Sequence, residues 1–385
     1  MKQNKPIKVC YVYLQRLKKD NESFTTLVPL RSARMLQGIA EIHLIYTGNI
    51  NEERLHRHGI NCHCYEGILD PIPVLFYIGL MFFIRRIGID ENITIFQNVW
   101  RHYMLFPISI GAKMCDSKVI ARISGVPIKK KKYKNHINQL KNNIGRFIEK
   151  ISLWSSDFII TLSHSLKRVF MNRGICPEKM IVLSQGVDSQ EFYPSDQVSK
   201  NFCNILYVGR LSRLKGLDDL LYAFKEISKE HIKSKLTIAG GANPKVEQKY
   251  FDKVCKMNLD GRVEFLGLVE HEKLVDLYKE CGLLVLPSYS EGLPNVILEA
   301  MASGLPCVGT DVGEIPYLLA DGRGIVVEPG NQRQLIKAIS DILDRRINTK
   351  MMTKKALTYV IQNHSFKTLR KKYTKLFKNF WKGGL

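Results

Sequence analysis

Leu286-Pro-Ser-Tyr-Ser-Glu291-Gly-Leu-Pro-Asn295-Val-Ile-Leu-Glu299-Ala-Met-Ala-Ser-Gly304-Leu-Pro-Cys-Val-Gly309 changes its local character three times. The apolar run Leu283 to Pro287 reads as a fully buried strand. A polar turn follows, and the helical pattern starts near Pro294, which suits a first helical turn. After Gly304, Pro306 to Gly309 reads as the next strand. Strand, loop, helix and strand in that order describe a crossover between parallel strands.

The same alternation extends in both directions. Towards the amino end of this half, strands are expected at Asn204 to Gly209, Lys235 to Ala239 and Arg262 to Leu266, and beyond it at Gly324 to Val327. Helices are expected at Leu217 to Ser228, Val246 to Met257, His271 to Glu280 and Asn295 to Met301. In the first half, strand candidates are Ile7 to Leu14, Glu41 to Thr47, Cys62 to Tyr65, Ile93 to Val99, Ser117 to Ile123, Asp157 to Ser163 and Met180 to Leu183. Helical stretches such as Phe24 to Gln37, Pro71 to Arg86 and Asn135 to Ser156 lie between them. Polar Ser195 to Lys200 reads as a hinge.

The expected fold is therefore α/β, with two Rossmann-like doubly wound domains facing across a cleft. Residues 1–195 form the first domain and 196–362 the second, with a helix in 363–385 packing back toward the first. Leu369, Tyr373, Leu376, Phe377 and Phe380 share one face of that helix. At 385 residues, two cores are expected in any case. Ligands in such sheets bind beyond the carboxyl ends of the strands, so a two-substrate reaction in the cleft is natural.

Charge and cysteine content narrow the setting. The chain carries 58 Lys and Arg against 36 Asp and Glu, a net +22. Residues 1–190 hold 28 bases and 14 acids, leaving 30 bases and 22 acids in the remainder, so the first part carries +14 and the rest +8. A positive field attracts nucleic acid, anionic membrane or phosphate-bearing substrates. Nine scattered cysteines without a C-x-x-C pair read as reduced thiols of a cytoplasmic protein. Nothing at Met1 to Pro6 resembles a signal peptide. The apolar stretch Ile72 to Ile84 is shorter than the roughly 20 residues of a spanning helix. A buried or interfacial helix is expected there.

Two segments carry chemistry. In Tyr207-Val-Gly209-Arg210-Leu-Ser-Arg213-Leu-Lys215-Gly216-Leu217 a strand ends, a basic loop follows, and a helix begins. Arg210 and Lys215 then stand at the carboxyl edge of the sheet beside a helix amino end, where a diphosphate binds well. A solvated basic turn is the plain alternative. In the second segment Glu291 lies in the loop and Glu299 one turn into the helix, and Gly292 permits close backbone approach. Two acids around the amino end of a helix make good acceptors for sugar and ribose hydroxyls. An ordinary helix start with favourably placed acids fits the same spacing.

Together these segments resemble the retaining glycosyltransferases of family 4, glycosyl transferases group 1, which have the GT-B architecture. The resemblance rests on Val208-Gly-Arg-Leu with Lys215-Gly, on two Glu separated by seven residues before Ala300-Met-Ala-Ser-Gly-Leu-Pro, and on Thr310-Asp-Val-Gly-Glu-Ile-Pro316. It spans about Asn204 to Val327 and implies transfer of a sugar from a nucleoside-diphosphate donor to a glycan, lipid-linked or polysaccharide acceptor. On this resemblance Arg210 and Lys215 neutralise the departing diphosphate, Glu291 takes hydroxyls of the transferred sugar, and Glu299 those of the ribose. Gly209, Gly292, Leu293, Pro294, Asn295 and Val296 border the donor, and Gly267 lies near the base. No Asp-x-Asp motif occurs, so neither a metal nor a cofactor is expected.

The first half departs from the family. Leu14 to Asn21 lacks the usual Gly-Gly loop, and Ala121-Arg122-Ile-Ser124-Gly125-Val-Pro127 stands where relatives carry a His. Arg122 and Ser124 become the acceptor-side candidates. Gln185 replaces the Asn of an Asn-Gly-Val-Asp turn. His56, His58, Cys62, His63 and Cys64 suggest a metal cluster, but alternation of Ile60, Cys62 and Cys64 with Asn61 and His63 is a strand pattern. Lys129, Lys130, Lys131, Lys132 and Lys134 form either a solvated loop or a contact with anionic membrane. The protein is thus expected to be cytoplasmic, with peripheral attachment at the inner face of the membrane as a further expectation. Alternatives are a nucleotide-sugar epimerase or phosphorylase-like enzyme on the same architecture, and a catalytically silent sugar-nucleotide-binding partner. Nucleic-acid binding ranks last, since no aromatic-interleaved basic motif supports it.

Overall fold

Short runs rich in Val, Ile and Leu, apolar on both faces, form strands only where helices cover both sides of a parallel sheet. In the computed structural model, residues 7–13, 31–47, 50, 52–65, 73–98, 105–123, 136–195 and 201–381 are described. They form two units, Met1–Gln185 with Leu369–Leu385, and Gly186–Thr368.

The first unit holds a seven-stranded sheet of β1 (Ile7–Tyr13), β2 (Ala40–Tyr46), β3 (Ile60–Cys64), β4 (Ile95–Asn98), β5 (Lys118–Ile123), β6 (Phe158–Thr161) and β7 (Met180–Val182). Its order is β3-β2-β1-β4-β5-β6-β7, parallel throughout. The order reverses between β1 and β4, the position where doubly wound sheets open a crevice. On one face Cys10, Val12, Phe96, Val119 and Ala121 pack with Leu80 and Ile84 of the helix Pro73–Asp90 and with Leu105 and Ile108 of Leu105–Lys113. The last helix, Phe366–Trp381, joins this unit from Leu369 onward, with Tyr373 and Phe377 fully buried. Arg370 fixes it by donating from Nε to the Met35 carbonyl at 2.9 Å and from Nη2 to the Arg34 carbonyl at 3.2 Å.

The second unit holds β8 (Asn201–Val208), β9 (Lys235–Ala239), β10 (Val263–Gly267), β11 (Cys281–Leu286), β12 (Cys307–Thr310) and β13 (Ile325–Val327). The order β10-β9-β8-β11-β12-β13 is again parallel, reversing between β8 and β11. One face packs on Leu217–Glu230 and Gln332–Leu343, the other on Asn295–Ala302. The helices Ile315–Leu319, Gln332–Leu343 and Thr349–Asn363 lie beyond those expected from sequence.

The division falls at Gln185/Gly186, ahead of the expected 195/196. The cause is local. The Val187 amide donates to the His364 carbonyl at 2.9 Å and its carbonyl accepts from the Phe366 amide at 3.0 Å, while Phe192 is buried against Tyr278. Ser195 to Lys200 lies outside the described residues except for Ser195.

Candidate active site

The two candidate segments of the second unit both leave the sheet at its switch point. β8 ends at Val208 and passes through Gly209 and Arg210 into a 3-10 turn, Arg213–Lys215, then Leu217–Glu230. β11 ends at Leu286 and reaches Asn295–Ala302 through the loop that holds Glu291. Gly216 is what lets the two meet. Its φ is +70°, and a Cβ there would lie 1.8 Å from the Pro287 carbonyl oxygen. The Tyr289 amide then donates to the Leu214 carbonyl at 2.9 Å, tying loop to turn.

Lys215 and Glu291 are brought together at 2.6 Å, Nζ to Oε1. The same carboxylate oxygen accepts from Ser288 Oγ at 2.7 Å. The Ser288 carbonyl in turn accepts from the Thr310 hydroxyl of β12. Behind the loop, the Glu314 amide donates to the Gly292 carbonyl at 3.0 Å, and Gly313, at φ +59°, passes within 2.3 Å (as a Cβ distance) of the Glu291 carbonyl. The loop is therefore held from three sides, so the Glu291 carboxylate has a fixed direction.

Glu299 is not part of this cluster. It lies buried in the second turn of Asn295–Ala302 and accepts from the Tyr278 hydroxyl through Oε2 at 3.1 Å. Pro294 sits at the cap position and Asn295 and Val296 open the helix, so their backbone amides belong to its first turn. Arg210 is exposed, and its carbonyl accepts from the Tyr207 hydroxyl at 2.8 Å. Burial pushes the Tyr207 phenol far up, opposed by the charge of Arg210. Gly267 ends β10 at φ +63°, and its carbonyl accepts from the Gly240 amide at 2.7 Å.

In the first unit, Arg122 is buried on β5, and its amide donates to Asn98 Oδ1 at 2.7 Å. Its charge reaches the buried phenols of Tyr11 and Tyr373, which desolvation pushes upward. Gln97 lies in register with Tyr11, and both its side-chain polar atoms are buried without a partner among the described residues. Ser124, the other acceptor-side candidate, lies outside the described residues, as do Lys129, Lys130, Lys131, Lys132 and Lys134 and the Leu14 to Asn21 loop.

The His- and Cys-rich stretch is strand β3. His63 Nε2 meets His43 Nδ1 at 3.0 Å, and His43 Nε2 meets Glu41 Oε1 at 3.0 Å. Among the described residues no group of His, Cys, Asp or Glu is arranged to hold a metal ion. All nine cysteines are free thiols. No helix among the described residues is long and apolar enough to cross a membrane.

Ser288 and Tyr278 escaped the reading of the sequence, and Thr310 and Gly313 were read only as part of the Thr310 to Pro316 landmark, without a place at the site. Ser288 carried a signal, standing three residues before Glu291 in one loop. Tyr278 carried none, since it reaches Glu299 from a different helix 21 residues away.

Two parallel sheets, each reversing at a switch point, with cation and carboxylate at the edge of the second, define a GT-B protein. The whole chain resembles Anabaena HepE crystallised with UDP, with a TM-score of 0.77 at 16% identity, covering 97% of this chain and 100% of that one. An uncharacterized glycosyltransferase of Methanocaldococcus jannaschii is 29% identical over 246 residues, 60% of this chain and 62% of its own. The phosphatidylinositol N-acetylglucosaminyltransferase gpi3 subunit of Schizosaccharomyces pombe is 27% identical over 205 residues, 52% and 44%. The chain thus spans less than two thirds of the length of these curated relatives. Residues 190–358 match the profile of glycosyl transferases group 1.

Proposed function

We propose that the protein is a retaining glycosyltransferase, of the family 4 type, that moves a sugar from a nucleoside-diphosphate donor to a glycan, lipid-linked or polysaccharide acceptor without a metal ion. The observation that carries this reading is the Lys215–Glu291–Ser288 cluster at the switch point of the second sheet. A cation and an acceptor carboxylate side by side suit a ligand with a phosphate next to a hydroxyl-bearing ring. A sugar diphosphate has that pattern.

In this reading Lys215 and Arg210 take up the negative charge that grows on the diphosphate as the glycosidic bond breaks, work a divalent ion does elsewhere. Lys215 exchanges part of its bond to Glu291 for a phosphate oxygen. Glu291 then accepts from hydroxyls of the sugar. Tyr278 uses part of the Glu299 acceptor capacity, and a carboxylate has about four lone-pair directions for ribose hydroxyls. The amides of Leu293, Asn295 and Val296 face phosphate and sugar oxygens at the opening of a helix. HepE, similar in fold, has been crystallised with UDP and with UDP-glucose, which makes a uridine donor the first to test. The gpi3 relative, named for phosphatidylinositol, makes a lipid-linked acceptor the first acceptor class to test.

The assay is release of UDP from UDP-sugars in the presence of cell-derived lipid and glycan acceptors, with and without a chelator. Release that requires acceptor, survives chelation, and drops on the order of a hundredfold in Arg210→Ala is expected. Transfer by Arg210→Ala at the parent rate refutes the assignment. Epimer formed without acceptor, or donor binding without any turnover, favours the epimerase and silent-partner readings instead.

A further inference from the structure

Arg122 keeps 5% of its surface exposed, one residue before the carboxyl end of β5. Its backbone amide is bonded to Asn98, but among the described residues no carboxylate pairs with its guanidinium. Strand register shows what lies beside it. Tyr11 is opposite Gln97 and Gln97 opposite Ile120, and Arg122 stands two residues beyond Ile120. Tyr11, Gln97 and Arg122 therefore share one face of the first sheet, and Cys10 and Val12 line the other. Tyr373 reaches the first of these faces from the last helix, since the Arg122 charge acts on both the Tyr11 and the Tyr373 phenol. Both polar atoms of the Gln97 amide and the Tyr373 hydroxyl are buried without a partner among the described residues.

The cluster is rich in donors and poor in acceptors. The guanidinium brings a fork of N–H groups, the amide its NH2 and each phenol an O–H, while the best acceptor among them, the Gln97 oxygen, is neutral. A buried charge without a counter-charge is costly, and so is a buried amide without a partner. Such a combination persists where a ligand supplies the missing acceptors. A metal ion would be repelled by Arg122. Water would satisfy the amide and leave the charge unanswered. A carboxylate or phosphate answers both, because its oxygens meet the guanidinium fork two at a time. The cluster also stands beside the switch point between β1 and β4, toward the carboxyl ends of the strands, where ligands of such sheets bind.

We propose that Arg122, with Gln97 beside it, binds a carboxylate or phosphate group carried by the acceptor. This narrows the acceptor to one whose sugar-receiving end is anionic, either an acidic sugar or a phosphate-linked unit, and sets neutral glycans aside. The inference rests on the transferase reading only in assigning the anion to the acceptor. The anion site itself belongs to the first unit and is independent of the donor cluster of the second.

The test is calorimetric melting of the full chain without nucleotide, at constant ionic strength, with glucuronate, glucose 1-phosphate or glucose at equal millimolar concentration. At least one anion is expected to raise the melting temperature and glucose is not, and the larger shift distinguishes carboxylate from phosphate. Without ligand, Arg122→Met is expected to melt at least about 2 °C above the parent, because it removes an unpaired buried charge. With either anion it gains nothing. Arg122→Lys keeps the charge without the fork and weakens anion binding about tenfold. Lys215→Met, altered in the second unit, keeps the shift. An Arg122→Met protein that melts below the parent shows the guanidinium to be a structural brace and overturns the proposal. So does a shift that survives Arg122→Met, a shift lost in Lys215→Met, an equal shift with glucose, or no shift with either anion. None of these outcomes depends on turnover, so the anion site and the transferase reading fail separately.

Discussion

Removing Lys215 tests the second unit's site through stability and ligand binding at once. The pair Lys215–Glu291 spans 2.6 Å, with 25% of the lysine side chain and 8% of the glutamate exposed. At an effective dielectric of about 20 the gross attraction is about 6 kcal/mol. Desolvating two charges at this depth removes most of it, leaving a net of about 2 kcal/mol. Lys215→Met therefore strands a carboxylate that accepts from Ser288 Oγ and costs about 2 kcal/mol. For a unit of this size that lowers its melting temperature by about 4–8 °C. Glu291→Gln keeps the Ser288 bond and costs less, and Lys215→Met/Glu291→Gln recovers part of the loss. Calorimetric melting of the four proteins gives the coupling directly. Titration with UDP adds the functional half: Lys215→Met weakens UDP binding about tenfold or more, whereas Glu291→Gln weakens UDP-sugar more than UDP. A Lys215→Met protein with parent melting temperature and parent UDP affinity refutes the reasoning.

Gly216→Ala puts a Cβ 1.8 Å from the Pro287 carbonyl in a left-handed conformation, so soluble yield or melting temperature falls sharply, by more than about 2 kcal/mol where measurable. Tyr278→Phe removes the 3.1 Å bond to buried Glu299, destabilising the second unit by about 1–2 kcal/mol and weakening UDP binding, read by melting and titration. Burial, then the neighbouring His63 charge, holds His43 below its ordinary 6.5, and burial does the same to His63. The unfolded chain therefore binds more protons, so stability is fully present above about pH 6.5 and is lost as pH falls through the lowered values. Melting between pH 7.5 and 5 shows a downward slope that His43→Asn flattens, and identical slopes for both proteins contradict the argument.

Much of the architecture was legible because parallel strands are continuous apolar runs. β9 and the helix His271–Glu280 fall where the pattern put them, residue for residue. The helix Gln332–Leu343 was equally readable, since Leu335, Ala338, Ile339 and Ile342 have helical spacing behind the cap Asn331, but the reading passed from Val327 straight to the helix in 363–385. Spacing along the chain placed Lys215 and Glu291 at one sheet edge without saying that they touch across 76 residues. Tyr278 and Gln97 were invisible for the same reason: their partners and neighbours are set by sheet order. The helix His136–Ser155 shows another limit, since Leu140, Ile144, Phe147 and Trp154 are exposed on it. An apolar stripe read from sequence is taken to face inward, and only packing reveals that here it does not.

The helix Phe366–Trp381 supplies Tyr373 and Phe377 to a unit whose other residues end at Gln185. On the ribosome, the first-made part of this unit must wait, with part of its interior open to water, until Phe366–Trp381 emerges. A stop codon ahead of this helix would thus injure the unit that begins at Met1. Excising residues 1–185 alone yields a fragment short of its own aromatic filling, prone to clump unless that last helix is supplied by fusion or as a peptide.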